Sequence, residues 1–169
     1  MDLKNKLFTA LAAALLSSCG YHLNGVKPDV MQGKETYCVE MFDNATTSPN
    51  VAVQLTSALG DAMQRDSTYR PARREEADFT ISGQVKSINR TSLMTDYEDA
   101  YHSLEVGVSV DVAYTVTDRR TGKVLIQSVA TGQSSYFNDL GNVQTALDSA
   151  LSYATRRAAE EIVNTVANK

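Results

Sequence analysis

The sequence predicts an α+β fold. It is a two-layer sandwich in the order β-α-β-β-β-α, with a mostly antiparallel four-stranded sheet and two helices on one of its faces. Three observations predict it. From Leu104 to Val116 every second residue is apolar, the pattern of a strand with one buried and one wet face. Two segments, about 50–66 and 142–166, repeat apolar residues at helical spacing. The turn "DRRTGK" joins two strand-like runs, so the pair reads as an antiparallel hairpin.

Each element has its own reason. "ETYCVEMF" (35–42) reads as a short strand that "DNATTSPN" interrupts. Ser48 and Pro49 read as a cap and a first-turn proline. The helix predicted to follow them runs to about Asp66, with Ala52, Leu55, Ala58, Leu59, Ala62 and Met63 on one face. Gly60 weakens that helix by roughly 1 kcal/mol relative to Ala. "YRPARREEA" reads as a polar connection, and "DFTISGQVKSI" as a second strand with Phe79, Ile81 and Val85 on one side.

In the third strand, "SLEVGVSVDVAYTVTD", seven apolar residues alternate with Glu105, Gly107, Ser109, Asp111, Ala113, Thr115 and Thr117. At about 3.3 Å per residue it spans roughly 40 Å, beyond the usual ~17–20 Å. "VLIQSVATGQSSYF" returns as the fourth strand. The closing helix carries Val143, Ala146, Leu147, Ala150, Leu151, Ala154, Ala158, Ile162 and Val166 in one stripe. The first strand-helix-strand unit can set its two strands parallel through a right-handed crossover.

The N-terminus reads as an export signal. Lys4 and Lys6 precede an apolar stretch, Leu7 to Leu16, and the small residues Ser17 and Ser18. About ten apolar helical residues reach roughly 15 Å, half of a bilayer core, so the stretch is not a transmembrane helix. Leu16-Ser17-Ser18-Cys19 resembles the bacterial lipobox, which implies cleavage before Cys19 and a covalent lipid on its thiol. Two or three acyl chains, on the order of 10 kcal/mol each, anchor a protein stably. Gly20, where Asp would signal inner-membrane retention, implies transfer to the outer membrane. The expected organisation is a signal peptide over 1–18, a lipidated tether over 19–34 and a single α+β domain over 35–169.

Removing residues 1–18 leaves 14 basic and 19 acidic residues, a net charge of −5. With no basic stripe carrying interleaved aromatics, the chain does not read as a nucleic-acid binder. The second cysteine, Cys38, then has no disulfide partner and reads as a small buried hydrophobe. Catalysis has little to draw on. His22 and His102 are the two histidines, and no nucleophile elbow, metalloprotease or phosphate-loop motif is present. Asp96, Glu98, Asp99 and His102 cluster in "TDYEDAYH" without the spacing or glycine of a calcium loop, and read as a solvated hairpin tip. Arg70, Arg73 and Arg74, followed by Glu75 and Glu76, read as a self-compensating turn, with phosphate binding as the sharper alternative. No metal, no catalytic residue and no cofactor besides the lipid is expected, so function must lie in binding. The long hairpin across residues 89–103 and its amphipathic Tyr97 and Tyr101 are the surface that stands out.

"CGYHL" directly after the lipobox, "ADFTISGQV", the long strand pair, "SSYFND" and the terminal "RRAAEEIV" resemble the lipopolysaccharide-assembly lipoproteins, the LptE-like family. The resemblance covers nearly the whole mature chain. It implies a non-enzymatic, outer-membrane subunit of the lipopolysaccharide translocon, seated as a plug in a large β-barrel partner and helping that barrel assemble. It also implies lipopolysaccharide contact by basic residues on the projecting hairpin. Here the tip is acidic and Arg90 is the only nearby cation, so Arg90, Tyr97 and Tyr101 are the expected contact residues. The alternative from another class is a periplasmic lipoprotein that activates a peptidoglycan synthase, since those also hang small α+β domains on lipid tethers.

Overall fold

The computed structural model describes residues 27–95, 103–137 and 142–167. After a single 3-10 turn at Asp29–Met31 come β1 (Thr36–Val39), β2 (Asp43–Asn44), α1 (Val51–Asp66) and β3 (Arg70–Pro71). The long elements follow: β4 (Phe79–Thr95), β5 (Ser103–Asp118), β6 (Val124–Phe137) and α2 (Val143–Ala167). β5 and β6 have the bounds predicted from their alternation, and α2 is displaced by one residue. One sheet runs β3-β1-β4-β5-β6, with β2 also on β4.

The sheet corrects the prediction in two respects. It has six strands rather than four. Three of its pairings, β1 with β3, β1 with β4 and β2 with β4, are parallel, and β4-β5-β6 form its antiparallel part. The predicted first strand breaks at Glu40–Phe42, because Phe42 turns inward and becomes buried. A Cβ on Gly83 would stand 2.7 Å from the Phe42 ring, so only glycine leaves room for it. The chain then rejoins β4 as β2, and α1 serves as the crossover that makes parallel pairing possible. The "polar connection" hides β3, and beside it Tyr69 is buried and donates its hydroxyl to the Val166 carbonyl at 3.0 Å.

α1 begins two residues later than Pro49 suggests, with Asn50 at its N-cap. It ends at Ser67, whose left-handed φ of 61° lets its N–H reach the Met63 carbonyl. Between α1, α2 and one sheet face lies the core. Val108, Val110, Val112, Tyr114 and Val116 pack there with Leu55, Leu59 and Met63 of α1 and Ala154, Ala158, Ile162 and Val166 of α2. Residues 28–34, expected to be tether, are partly built into the domain: Met31 is fully buried and Lys34 pairs with Asp118. Cys38 sits half-buried beside Thr80, less enclosed than expected.

Candidate functional site

The β4–β5 hairpin pairs residue by residue from Phe79↔Asp118 to Thr95↔Ser103. At about 3.3 Å per residue it runs roughly 50 Å. Its root is tied to the pole where the N-terminal segment enters. Lys34 donates to Asp118, and the Glu35 and Thr36 amides donate to Asp78 at 2.9 and 3.1 Å. These contacts hold both carboxyls below the usual carboxylate range. The Lys34 hydrogen bond is the first cause for Asp118, and the Glu35 amide for Asp78. Thr95 and Ser103, the last described pair of the hairpin, therefore lie at the end opposite the entry of the N-terminal segment.

A β-bulge at Lys86 decides which way Arg90 faces. Up to Val85↔Val112 the odd residues of β4 face the core; beyond it the register resumes at Ser87↔Asp111, and the even residues face inward. Ile88 pairs with Val110 and Arg90 with Val108, both on the helix side. Arg90 accordingly lines a cavity of about 500 Å³ with Thr47, Ser48, Gln144, Leu147 and Asp148. Within it, Gln144 donates to Asp148 at 2.9 Å. Among the described residues no carboxylate lies within ion-pair distance of Arg90. The arrangement sets the Arg90 guanidinium and the Asp148 carboxylate, with hydroxyl and amide groups, beside the apolar Ile88, Leu147 and Leu151.

The opposite, open face of the sheet is hydroxyl- and amide-rich. Asp111 stands at its centre and accepts from Ser87 at 2.8 Å, Asn89 at 3.1 Å and Thr131 at 2.8 Å. Alternation in the sequence could have located this row, but not its shared carboxylate. Toward the hairpin's far end Leu93, Met94 and Phe137 are exposed. Cys19, Tyr97, Tyr101 and the acidic tip with His102 lie outside the described residues, so of the expected contact residues the structure places Arg90 alone. The arginine turn does not compensate itself as expected: Arg74 pairs with Glu40 of the neighbouring segment at 3.2 Å, and among the described residues no ion pair joins Arg70, Arg73 or Arg74 to Glu75 or Glu76. Among the described residues no group of three metal-ligating side chains converges, and no helix is long and apolar enough to cross a membrane.

Fold and hairpin together define a small α+β domain. Solved structures with this fold include the hypothetical protein CT253 from Chlamydia trachomatis, 14% identical with a TM-score of 0.57, over 79% of this chain and 95% of that one. Another is the PelC dodecamer from Paraburkholderia phytofirmans, at 17% identity and a TM-score of 0.52, over 86% and 96%. A third is the rare lipoprotein B from Shewanella oneidensis, at 12% identity and a TM-score of 0.53, over 78% and 92%. No curated protein matches the chain in sequence. The lipopolysaccharide-assembly family model LptE matches residues 34–166, and the chain belongs to that family of non-enzymatic, cell-envelope lipopolysaccharide-assembly lipoproteins.

Proposed function

We propose that this chain is the lipid-anchored subunit of the outer-membrane lipopolysaccharide translocon. In this reading Cys19 carries the lipid, the domain acts as plug and assembly partner of a large β-barrel, and Arg90 contacts lipopolysaccharide. The observation that carries the reading is the family match across the whole folded domain. Arg90 supports it further, because it is exposed, has no carboxylate within ion-pair distance among the described residues, and a guanidinium matches phosphate bidentately. A hydroxyl- and amide-rich sheet face also suits the polar interior of a large barrel.

Mild detergent extraction of the lipidated chain is expected to bring down a large β-barrel protein in stoichiometric amount. Recovery as a free monomer, or cross-linking to a penicillin-binding protein instead, contradicts the reading. In the same preparation Arg90→Glu is expected to lower lipopolysaccharide binding on the order of tenfold, the effect of losing about 1.4 kcal/mol. Unchanged binding removes Arg90 from the site and leaves the barrel partner standing.

A further inference from the structure

The N-terminal segment and the β5–β6 turn meet at one corner of the domain. Lys34 donates to Asp118 at the head of the turn, and Pro28 and Val30 line a pocket with Leu125 and Ile126 at the start of β6. Asn164 and Thr165 of α2 close the same pocket. At this corner Val30 is 51% exposed and Val124 49%, so two aliphatic side chains face outward beside a partly apolar wall.

The turn beside these valines is basic. Arg119, Arg120 and Lys123 are exposed, and among the described residues none of them has a carboxylate within ion-pair distance. The acid of the turn, Asp118, is taken up by Lys34 and by the Arg120 and Thr121 amides. On the adjoining segment Lys27 and Lys34 balance Asp29 and Glu35, and Asp78 receives the Glu35 and Thr36 amides. Three cations around one engaged carboxylate stand out in a chain whose net charge is −4.

The occupant follows from where the preceding chain leads. Lys27, held 4.8 Å over the Tyr69 ring, stands eight residues after Cys19. At no more than about 3.5 Å per residue, that stretch reaches about 28 Å. A lipid on Cys19 therefore keeps this corner close to the bilayer surface, whereas Thr95 and Ser103 lie roughly 50 Å from the hairpin root. Cations beside aliphatic side chains match a phospholipid surface. The guanidinium and ammonium groups meet phosphates, and the aliphatic carbons enter the headgroup layer.

We propose that the β5–β6 turn, with Val30 and Val124, rests on the phospholipid surface to which Cys19 is anchored. Arg120 and Lys123 meet lipid phosphates, and the two valines enter the headgroup layer. The turn is then a second membrane contact that orients the domain on its anchor. The inference rests on the lipid anchor of the proposed function and adds the surface that the anchor brings to the membrane.

The chain has no tryptophan, so a single one placed in it reports its own surroundings. The test binds the full lipidated chain to vesicles of phosphatidylethanolamine and phosphatidylglycerol that include lipids brominated near the headgroup. Val124→Trp emission is expected to shift to the blue and to be quenched, whereas Tyr153→Trp, on the exposed side of α2, keeps its unquenched spectrum. Arg120→Glu with Lys123→Glu is expected to abolish the quenching of Val124→Trp. Arg156→Glu with Arg157→Glu, the same charge change on α2, is expected to leave it intact. All these sites are exposed, and melting curves check that each variant folds. An unquenched Val124→Trp, equal quenching of both tryptophans, or indifference to the charge reversal in the turn overturns the proposal. Quenching that disappears when the co-purified barrel is added assigns the corner to the barrel and overturns it too. A chain that does not float with the vesicles removes the anchor, and the proposal with it, so flotation separates that failure from a failed contact.

Discussion

Gly132 of β6 lies directly beneath Ala154 of α2, with no room for a side-chain carbon between strand and helix. Ala130, Ala150 and Ala158 continue this small-residue seam, and all three are buried. Gly132→Ala is expected to push α2 off the sheet and destabilise the domain by about 1–3 kcal/mol, as overpacking does. Gly60 in α1 has nothing within 4 Å of its missing Cβ, so Gly60→Ala is expected to stabilise by about 0.5–1 kcal/mol. Denaturant midpoints of the two variants check the contrast, and equal shifts for both contradict the close seating.

Asp118 and Asp78 make stability depend on acid. Lys34 and the Thr121 amide favour the Asp118 carboxylate, and the Glu35 and Thr36 amides favour that of Asp78. Both native pKa values thus lie below the unfolded value of about 3.9. The stabilisation is complete above that value and drains as pH falls toward the lower native one, because the unfolded chain takes up protons first. Thermal melts between pH 6 and pH 2 (roughly, the carboxylate range) are expected to fall steeply, and less steeply in Asp118→Asn. Identical slopes contradict the assignment.

Two buried tyrosines give opposite expectations. Burial, with a smaller contribution from Asp66, pushes the Tyr69 hydroxyl up to about 12, and that hydroxyl bonds the Val166 carbonyl. Tyr69→Phe is expected to cost about 1 kcal/mol. Because the native pKa is raised, this tyrosine contributes fully below the unfolded value of about 10 and loses its contribution as pH rises toward 12. The Tyr37 hydroxyl is buried without a partner among the described residues. Tyr37→Phe is expected to be neutral or stabilising, by up to about 1 kcal/mol, and a loss comparable to that of Tyr69→Phe contradicts it.

The anchor is tested apart from the fold. Cys19→Ala is expected to move the protein from the membrane fraction to the soluble fraction on cell fractionation, with the melting curve of the domain unchanged. A variant that stays in the membrane contradicts lipidation at Cys19.

Much of the architecture was legible because its signals are local. The alternation from Leu104 to Val116 and in 124–137 bounded β5 and β6, and helical spacing placed α2 within one residue. What escaped depended on partners distant in sequence. β3 is two residues long inside a charged segment and exists because the edge of β1 was open to it. The break after β1 depends on the fit of Phe42 over Gly83, forty-one positions away. Arg90 was legible as a lone cation near the hairpin tip, yet its orientation was not. Counting by twos from Phe79, Ile81 and Val85 puts it on the open face, and one extra residue at Lys86 turns it toward α2.

By itself, then, the sequence determined the antiparallel β4-β5-β6 core, both helices and the family resemblance that the family match supports. These depend on periodicity and on short motifs, which a chain carries wherever it folds. Tertiary structure alone decided the parallel pairings, the cavity around Arg90 and the seating of α2 on β6. Each of these depends on how closely two distant backbones approach, and the absence of a single carbon at Gly83 or Gly132 sets that distance.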